Sequence, residues 1–194
     1  GSVNAFRSDG SLEPQVMSRL GRILAAADER EMVVNVGYLY QSRPAKLSSS
    51  AQGVGLDHGT NRAAEWPPDV FRDAEALRRG IFRATDWLRK SGHRNLFVDL
   101  ANEFNDPRYR LTKRVFDITR PDAMRELILL ARRAFPELLI GASVYDLWPL
   151  YRGVGDVCHI VLIHGLPTVI KKQVLRHYLD KPVVENESGN MLGC

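Results

Sequence analysis

Short segments that are almost wholly apolar alternate in this sequence with segments that are apolar on one helical face only. Five of the short segments are predicted to be strands: residues 32–38, 95–103, 138–144, 157–164 and 182–187. Apolar residues spaced three and four positions apart predict four helices, at residues 13–27, 69–90, 121–134 and 168–179. Strands without alternating polar residues are typical of parallel sheets covered by helices. The pattern therefore predicts an α/β fold in which parallel strands lie adjacent in chain order, with helices on their outer face.

Length and composition limit the number of domains and the kinds of partner that this protein can have. The 194 residues are enough for one domain, residues 1–194, with 44% hydrophobic and 26% charged residues. No apolar run approaches the roughly 20 residues of a membrane-spanning helix, so no membrane partner is expected. Lysine and arginine exceed aspartate and glutamate by only 27 to 23, and no basic stripe is interleaved with aromatic residues, so nucleic acid is not expected either. Localisation stays open, because Gly1 and Ser2 resemble a cloning remnant that could replace a native signal.

The sequence contains no signature of a bound cofactor. No glycine-rich phosphate-binding turn follows any predicted strand, which leaves out the common nucleotide-binding motifs. The two cysteines, Cys158 and Cys194, are too few for a disulfide framework or a zinc site. We therefore expect no cofactor.

Polar and aromatic residues gather at the carboxyl ends of the predicted strands. They are Tyr38, Tyr40, Asn102, Glu103, Tyr145, Asp146, His164, Asn186 and Glu187. Catalytic groups drawn from several strand ends at one face are the arrangement found in (β/α) barrels. A doubly wound sheet fits the alternation as well, but the strand ends favour a TIM-barrel-like architecture.

Two glutamates, Glu103 and Glu187, each follow an asparagine at a strand end, with two predicted strands between them. In a closed barrel these ends would face each other across the mouth. Glycoside hydrolysis uses two carboxyl groups, one to protonate the leaving oxygen and the other to attack the anomeric carbon or to activate water. A neighbouring carboxylate and partial burial raise the pKa of such an acid, which lets it hold its proton near neutral pH. The simpler interpretation is that both glutamates are solvated where the strands reach the surface.

The stretches "LFVDLANEF" and "KPVVENESG" extend this pattern. They resemble the fourth- and seventh-strand signatures of clan A glycoside hydrolases, in particular the cellulase-like members of glycoside hydrolase family 5. The matched positions are Asn102, Glu103, Lys181, Pro182, Glu187 and Gly189, within a resemblance that runs from about Val3 to Gly189. The resemblance implies a retaining glycosidase that acts on a β-linked oligo- or polysaccharide, with Glu103 as acid/base and Glu187 as nucleophile.

Substrate-binding residues are expected beside the two glutamates. His164 would bind substrate or hold Glu187, as a sixth-strand histidine does in the resembled family, although Leu166 replaces the tyrosine of that family's His-x-Tyr motif. Asn102 would hydrogen-bond a sugar hydroxyl next to the reacting carbon. Aromatic side chains could stack on sugar rings or serve as ordinary core and loop anchors, and these are Tyr38, Tyr40, Trp66, Tyr145 and Trp148.

Strand alternation predicts a second acidic layer below the two glutamates. If Glu103 points inward, Asp99 points inward as well, and Glu185 does so if Glu187 does. Buried carboxylates need partners, so a strand-end histidine or a cation would lie beside them. The alternative is a β-bulge that turns Glu185 outward.

The predicted strands are too few for a complete barrel, which takes about 250 residues and eight strands. By the resemblance, the five strands are the third to the seventh, and residues 3–6 are the tail of the second. We therefore expect a partial barrel whose open edges are covered by a homo-oligomeric partner or by the long loop at residues 41–68.

Two other functions are compatible with the same residues. The chain could be a non-catalytic truncated barrel or a carbohydrate-binding remnant. It could also be a metal-dependent TIM-barrel hydrolase that uses oxygen and nitrogen ligands from Glu103, Asp106, His164 and Glu187.

Overall fold

The computed structural model describes residues 4–39, 71–105, 116–164 and 166–187. Within these ranges the helices are α1 (Pro14–Asp28), α2 (Ala74–Ser91), α3 (Pro121–Ala134), α4 (Gly155–Val157) and α5 (Thr168–His177). The strands are β1 (Val34–Leu39), β2 (Leu96–Ala101), β3 (Ile140–Gly141), β4 (Val161–His164) and β5 (Val183–Glu187). The segment Leu150–Val154 directly precedes α4 and is kinked, because Arg152 and Gly153 have non-helical backbone angles. Strands and helices alternate along the chain, as the sequence predicted.

The strands pair in parallel. One sheet has the order β1-β2-β3, with Val98 of β2 opposite both Val36 and Ile140. A second sheet pairs β4 with β5, and an isolated parallel bridge between Val144 and Ile163 links the two sheets. The predicted α/β class, with parallel strands in chain order, is confirmed for the described strands. Their short length and small number establish that class and do not establish a closed barrel.

Helix α2 begins later than its apolar pattern predicted. The side chain of Asp73 accepts a hydrogen bond from the backbone N–H of Ala76 at 2.7 Å, which caps the first turn, so the helix begins at Ala74. Gly92 ends the helix in a left-handed conformation with φ of 79°. Most of the predicted apolar stripe is buried against the sheet and α3, through Leu77, Ile81, Ala84 and Leu88.

The core surrounds β2, whose residues Val98 and Leu100 are fully buried. One apolar cluster joins this strand to α1, α2, α3 and the residues around β4. Burial of both faces of a strand is the property that its continuous apolar sequence indicated. Helix α5 departs from the prediction, because only Val174 is buried within it while Val169 and Leu175 are 62% and 49% exposed.

The residues before α1 do not extend the parallel sheet. Phe6, predicted to lie in the tail of a further strand, instead forms an isolated antiparallel bridge with Leu12. Its ring packs against Phe71, with ring centroids 5.3 Å apart, and edge-on against Tyr38. Phe6 therefore packs next to Gly80 of α2 as a core residue, and the prediction for this segment was wrong.

Candidate active site at the carboxyl ends of the strands

A buried aspartate, Asp99 of β2, lies at the base of the site. Its side chain accepts hydrogen bonds from the backbone N–H of Ser143 at 2.9 Å and from the Ser143 hydroxyl at 2.7 Å. Asn186 of β5 donates a third hydrogen bond through Nδ2 at 3.3 Å. Asp99 is 3% exposed, so these donors replace the water that its carboxyl group would otherwise bind. One carboxyl group thus joins β2, the segment after β3, and β5.

The electrostatics of Asp99 follow from this position. Burial raises the pKa of Asp99 above its ordinary value, because a charged carboxylate is poorly solvated there. Three interactions lower the pKa of Asp99: the hydrogen bonds from Ser143, the charge of His164 and the hydrogen bond from Asn186. Together they lower it by less than burial raises it. Asp99 therefore holds a proton more tightly than an exposed aspartate does.

Glu103 follows β2 and has a left-handed backbone conformation, with φ of 44°. Its N–H donates to the Ser143 hydroxyl at 3.1 Å, and the N–H of the buried Phe104 donates to the Ser143 carbonyl at 3.2 Å. A non-glycine residue in such a conformation costs on the order of 1–3 kcal/mol and persists only where its surroundings fix it. The side chain of Glu103 is 23% exposed, so its carboxyl group is both held and reachable from solvent.

His164, the last residue of β4, connects the ends of three strands. Its Nδ1 lies 3.3 Å from Oε1 of Glu103, and its side chain is only 9% exposed. The backbone of His164 is in register with Glu187 of β5. Glu103 and Glu187 therefore flank the same histidine, the first through its side chain and the second through strand pairing.

A β-bulge in β5 decides which side chains face Asp99. Ile163 is opposite Glu185, but the next residue, His164, is opposite Glu187, so Asn186 is the extra residue. Asn186 bonds to Asp99, whereas Glu185 forms an ion pair with Lys171 of α5 at 2.6 Å. The prediction that Glu185 lies beneath the site was wrong, since the bulge turns it toward the helix. The alternative bulged arrangement is the one observed.

Gly37 leaves space on the same face of the sheet as Asp99 within the described part of the structure. Gly37 of β1 is paired in register with Asp99, so any side chain at Gly37 would point to the same face. A Cβ atom built at Gly37 would meet no described atom within 4 Å. The Oδ1 atom of Asn186 is buried without a hydrogen-bond partner among the described residues, which leaves an acceptor for a buried water.

Tyr38, predicted to bind substrate, is not brought to this site. Its hydroxyl lies 3.1 Å from the hydroxyl of Thr85 on α2, and burial raises the pKa of its phenol. Since Gly37 and Leu39 face the side of Asp99, Tyr38 points to the opposite, helix-covered face. Strand alternation therefore makes it a core anchor.

The structure describes some of the other predicted binding residues and not the rest. Asn102 continues the β1–β2 ladder by donating its N–H to the carbonyl of Leu39 at 2.9 Å, and it is half-buried. Tyr145 is 46% exposed at the same carboxyl edge. Tyr40, Trp66, Asp106, the loop at residues 41–68 and the side chain of Glu187 lie outside the described part of the structure.

Two residues of the site were not identified from the sequence. Ser143 is a single hydroxyl in the apolar stretch "LLIGASV", and the need of a buried Asp99 for donors was the signal that could have found it. Asn105 holds two loops together, because its Nδ2 donates to the Asp146 carbonyl at 3.3 Å and its Oδ1 accepts the Tyr145 N–H at 2.8 Å. The segment after β3 is thereby fastened to the segment that carries Glu103.

The described ranges contain no group of three or more histidine, cysteine, aspartate or glutamate side chains arranged to hold a metal ion. In the same ranges, none of the helices has the length and apolar character that crossing a membrane requires. The buried thiol of Cys158 donates to the carbonyl of Val154 at 3.2 Å, and burial raises its pKa to about 12. This thiol is therefore an inert core group near neutral pH.

Comparisons of the chain with models of known protein families, with curated proteins and with solved structures found no match.

Proposed function

We propose that this protein is a retaining glycoside hydrolase that acts on a β-linked saccharide, with Glu103 as acid/base and Glu187 as nucleophile. The proposal includes a TIM-barrel-like arrangement of the strands. The observation that carries it is the convergence of two glutamate-bearing strand ends on His164, whose Nδ1 lies 3.3 Å from Glu103 and whose backbone pairs with Glu187. Two carboxyl groups from strand ends at one edge are what a two-carboxylate hydrolysis needs.

The backbone of Glu103 supports a role beyond solvation. A strand that simply ends at the surface does not require a left-handed residue. This one is held by a hydrogen bond from its own N–H to the Ser143 hydroxyl and by a second from the N–H of the next residue, Phe104, to the Ser143 carbonyl. Strained residues held by their surroundings cluster at active sites. The partial exposure of the Glu103 side chain leaves its carboxyl group accessible to a substrate. Asp99 is too deeply buried to touch one and serves to hold the site from below.

The proposed reaction has two steps. In the first, Glu103 gives its proton to the glycosidic oxygen while Glu187 attacks the anomeric carbon, so that the bond to the leaving group breaks and a glycosyl ester forms. In the second, Glu103 takes a proton from water, which attacks the anomeric carbon and releases Glu187. His164 contacts the Glu103 carboxyl group throughout and orients it.

The proposal can be tested by measuring the hydrolysis of a panel of aryl β-glycosides. Glu103→Gln should lower kcat by about 10²–10⁴-fold, the usual contribution of a general acid–base group. Glu187→Gln should abolish formation of the glycosyl ester and reduce turnover at least as strongly. Glu185→Gln is the matched control, since this glutamate lies on the same strand but pairs with Lys171 on the helical side.

Two outcomes would count against the proposal. Equal activity of wild type, Glu103→Gln and Glu187→Gln would assign the hydrolysis to other groups. Saccharide binding without turnover by wild type would identify the protein as a carbohydrate-binding remnant instead.

A further inference from the structure

A surface hollow of about 560 Å³ is formed by the segments that follow β2 and β3. Its lining residues are Pro121, Asp122, Arg125, Trp148 and Arg152. We propose that this hollow is a subsite for an acidic sugar, that is, a saccharide unit that carries a carboxylate. The inference rests on the proposed glycosidase function and narrows its substrate class to acidic β-linked saccharides.

The hollow lies at the same edge of the sheet as Glu103. Pro121 begins the helix that follows β2, and Trp148 lies in the segment that follows β3. Asn105, two residues after Glu103, fixes that segment through its hydrogen bonds to the backbone of Tyr145 and Asp146. A saccharide chain bound at the strand ends could therefore extend into the hollow.

Trp148 provides an apolar wall. Its side chain is 53% exposed, although it is among the largest apolar groups of the chain. The backbone N–H of Trp148 donates to Oδ1 of Asp146 at 3.1 Å, which fixes the turn that presents the ring. An exposed indole face is suited to pack against the C–H surface of a sugar ring.

Two guanidinium groups give the hollow its charge. Arg125 donates to the carbonyl of Gly153 at 2.8 Å, and a side chain at Gly153 would collide with this guanidinium. The guanidinium of Arg152 lies 5.8 Å from the centre of the Trp148 ring. Among the described residues, no carboxylate forms an ion pair with Arg125 or Arg152, and Asp122 is paired with Arg120 at 2.7 Å.

This arrangement matches a carboxylate better than a neutral hydroxyl. Arginine binds carboxylates through parallel N–H···O hydrogen bonds, and an adjacent aromatic face fixes the ring that carries the carboxylate. A neutral sugar would bring no charge to either guanidinium group, and of the nearby carboxylates Asp122 is already paired with Arg120 while Asp156 lies near Arg125 beyond Gly153. The hollow is therefore selective for acidic units.

The test is calorimetric binding of two tetrasaccharides, a β-1,4-linked glucose tetramer and its C6-oxidised glucuronate counterpart. The titration uses Glu187→Gln, so that neither ligand is hydrolysed, and is repeated in raised salt. We expect the acidic tetramer to bind about tenfold more tightly, a difference within the range of charge-assisted hydrogen bonds. Arg152→Gln should remove most of this preference, and Trp148→Ala should weaken the binding of both ligands.

Arg83→Gln is the charge-matched control, because Arg83 is an exposed arginine of α2 and does not line the hollow. It should leave the preference unchanged. Equal affinities for the two tetramers would overturn the subsite, as would a preference that Arg83→Gln and Arg152→Gln reduce equally. Acidic preference in a protein that hydrolyses no aryl glycoside would keep the subsite and reject the glycosidase. Hydrolysis of aryl glycosides without a preference for the acidic tetramer would keep the glycosidase and reject the subsite.

Discussion

The hydroxyl of Ser143 lies 2.7 Å from the carboxyl group of Asp99, and both side chains are buried. The same hydroxyl accepts the backbone N–H of Glu103 at 3.1 Å. Because a hydroxyl can donate one hydrogen bond while it accepts another, Asp99 acts on Glu103 through Ser143 without touching a substrate. Ser143 is therefore a positioning residue for the proposed acid/base.

Ser143→Ala is expected to lower the free energy of unfolding by about 1–3 kcal/mol, since the variant leaves buried polar groups without their partner. It should also lower kcat with little change in KM, because Glu103 loses the hydrogen bond that holds its left-handed conformation. Urea unfolding and steady-state kinetics measure the two effects.

Thr85→Val provides the control for this substitution. Thr85 is also fully buried, and its hydroxyl donates to the carbonyl of Ile81 at 2.9 Å, but it lies on α2 behind the sheet. We expect a comparable loss of stability without a loss of kcat. Similar kinetic losses in Thr85→Val and Ser143→Ala would reduce the role of Ser143 to general stability.

Asp99→Asn should change the dependence of stability on pH. Burial raises the pKa of Asp99 in the folded protein, so its stabilising contribution is complete below the unfolded-state pKa and is lost as pH rises through the folded-state pKa. The free energy of unfolding of wild type relative to Asp99→Asn should therefore decline from about pH 4 upward. Urea titrations over a pH series measure this difference, and a difference that is independent of pH would contradict it.

The glycine in β3 is expected to be sensitive to substitution, whereas its counterpart in β1 is not. A Cβ at Gly141 would collide with the backbone carbonyl of Ile160, which cannot move without shifting the approach to β4. Gly141→Ala should therefore cost about 1–3 kcal/mol of stability. Gly37→Ala should stay within about 0.5 kcal/mol of wild type, because that position is exposed and open. Equal unfolding midpoints for the two variants would show that β3 and β4 are not packed as described.

The alternation of strands and helices could be predicted because each strand here is a continuous apolar run. The length of β3 could not be predicted from the sequence. Residues 138–144 read as one strand, but only Ile140 and Gly141 have ladder pairing, since the N–H of Ser143 bonds to the Asp99 side chain instead of a neighbouring strand. The sequence does not indicate which buried carboxylate will take a backbone donor.

The site was predicted to the extent that it depends on strand ends. Parallel strands that end at one edge account for the proximity of His164 and Glu103, but the sequence linked His164 to substrate or to Glu187 and not to the Glu103 carboxyl group that it contacts. The predicted orientation of Glu185 was wrong because a single inserted residue reverses the alternation of side chains along a strand. The local sequence does not indicate the bulge at Asn186. For Tyr38, regular strand alternation would have given the correct orientation. Its neighbour Gly37 pairs with Asp99, so Tyr38 points to the opposite face and contacts α2.

Self-association remains a prediction for the open edges of the sheet. Among the described strands, β1 has a partner on one side only, and Met32 and Val33 before it are 56% and 68% exposed. Exposed edges favour pairing with another chain. We expect concentration-dependent dimers in sedimentation experiments and weaker association of Val33→Glu. A strict monomer with rapid hydrogen exchange throughout β1 would contradict this, whereas a monomer with slow exchange would indicate cover by the chain's own residues.

The stereochemistry of hydrolysis tests the proposed pairing of Glu103 with Glu187 most directly. Carboxyl groups about 5–5.5 Å apart leave no room for an interposed water, so the reaction should proceed through a glycosyl ester and retain the anomeric configuration. Proton NMR of the first product formed from an aryl β-glycoside distinguishes retention from inversion before mutarotation. In Glu187→Ala, added azide should restore turnover and yield the inverted glycosyl azide, because a single displacement replaces two. Inversion by wild type would instead indicate a separation of about 6.5–9.5 Å, with Glu187 activating water as a base.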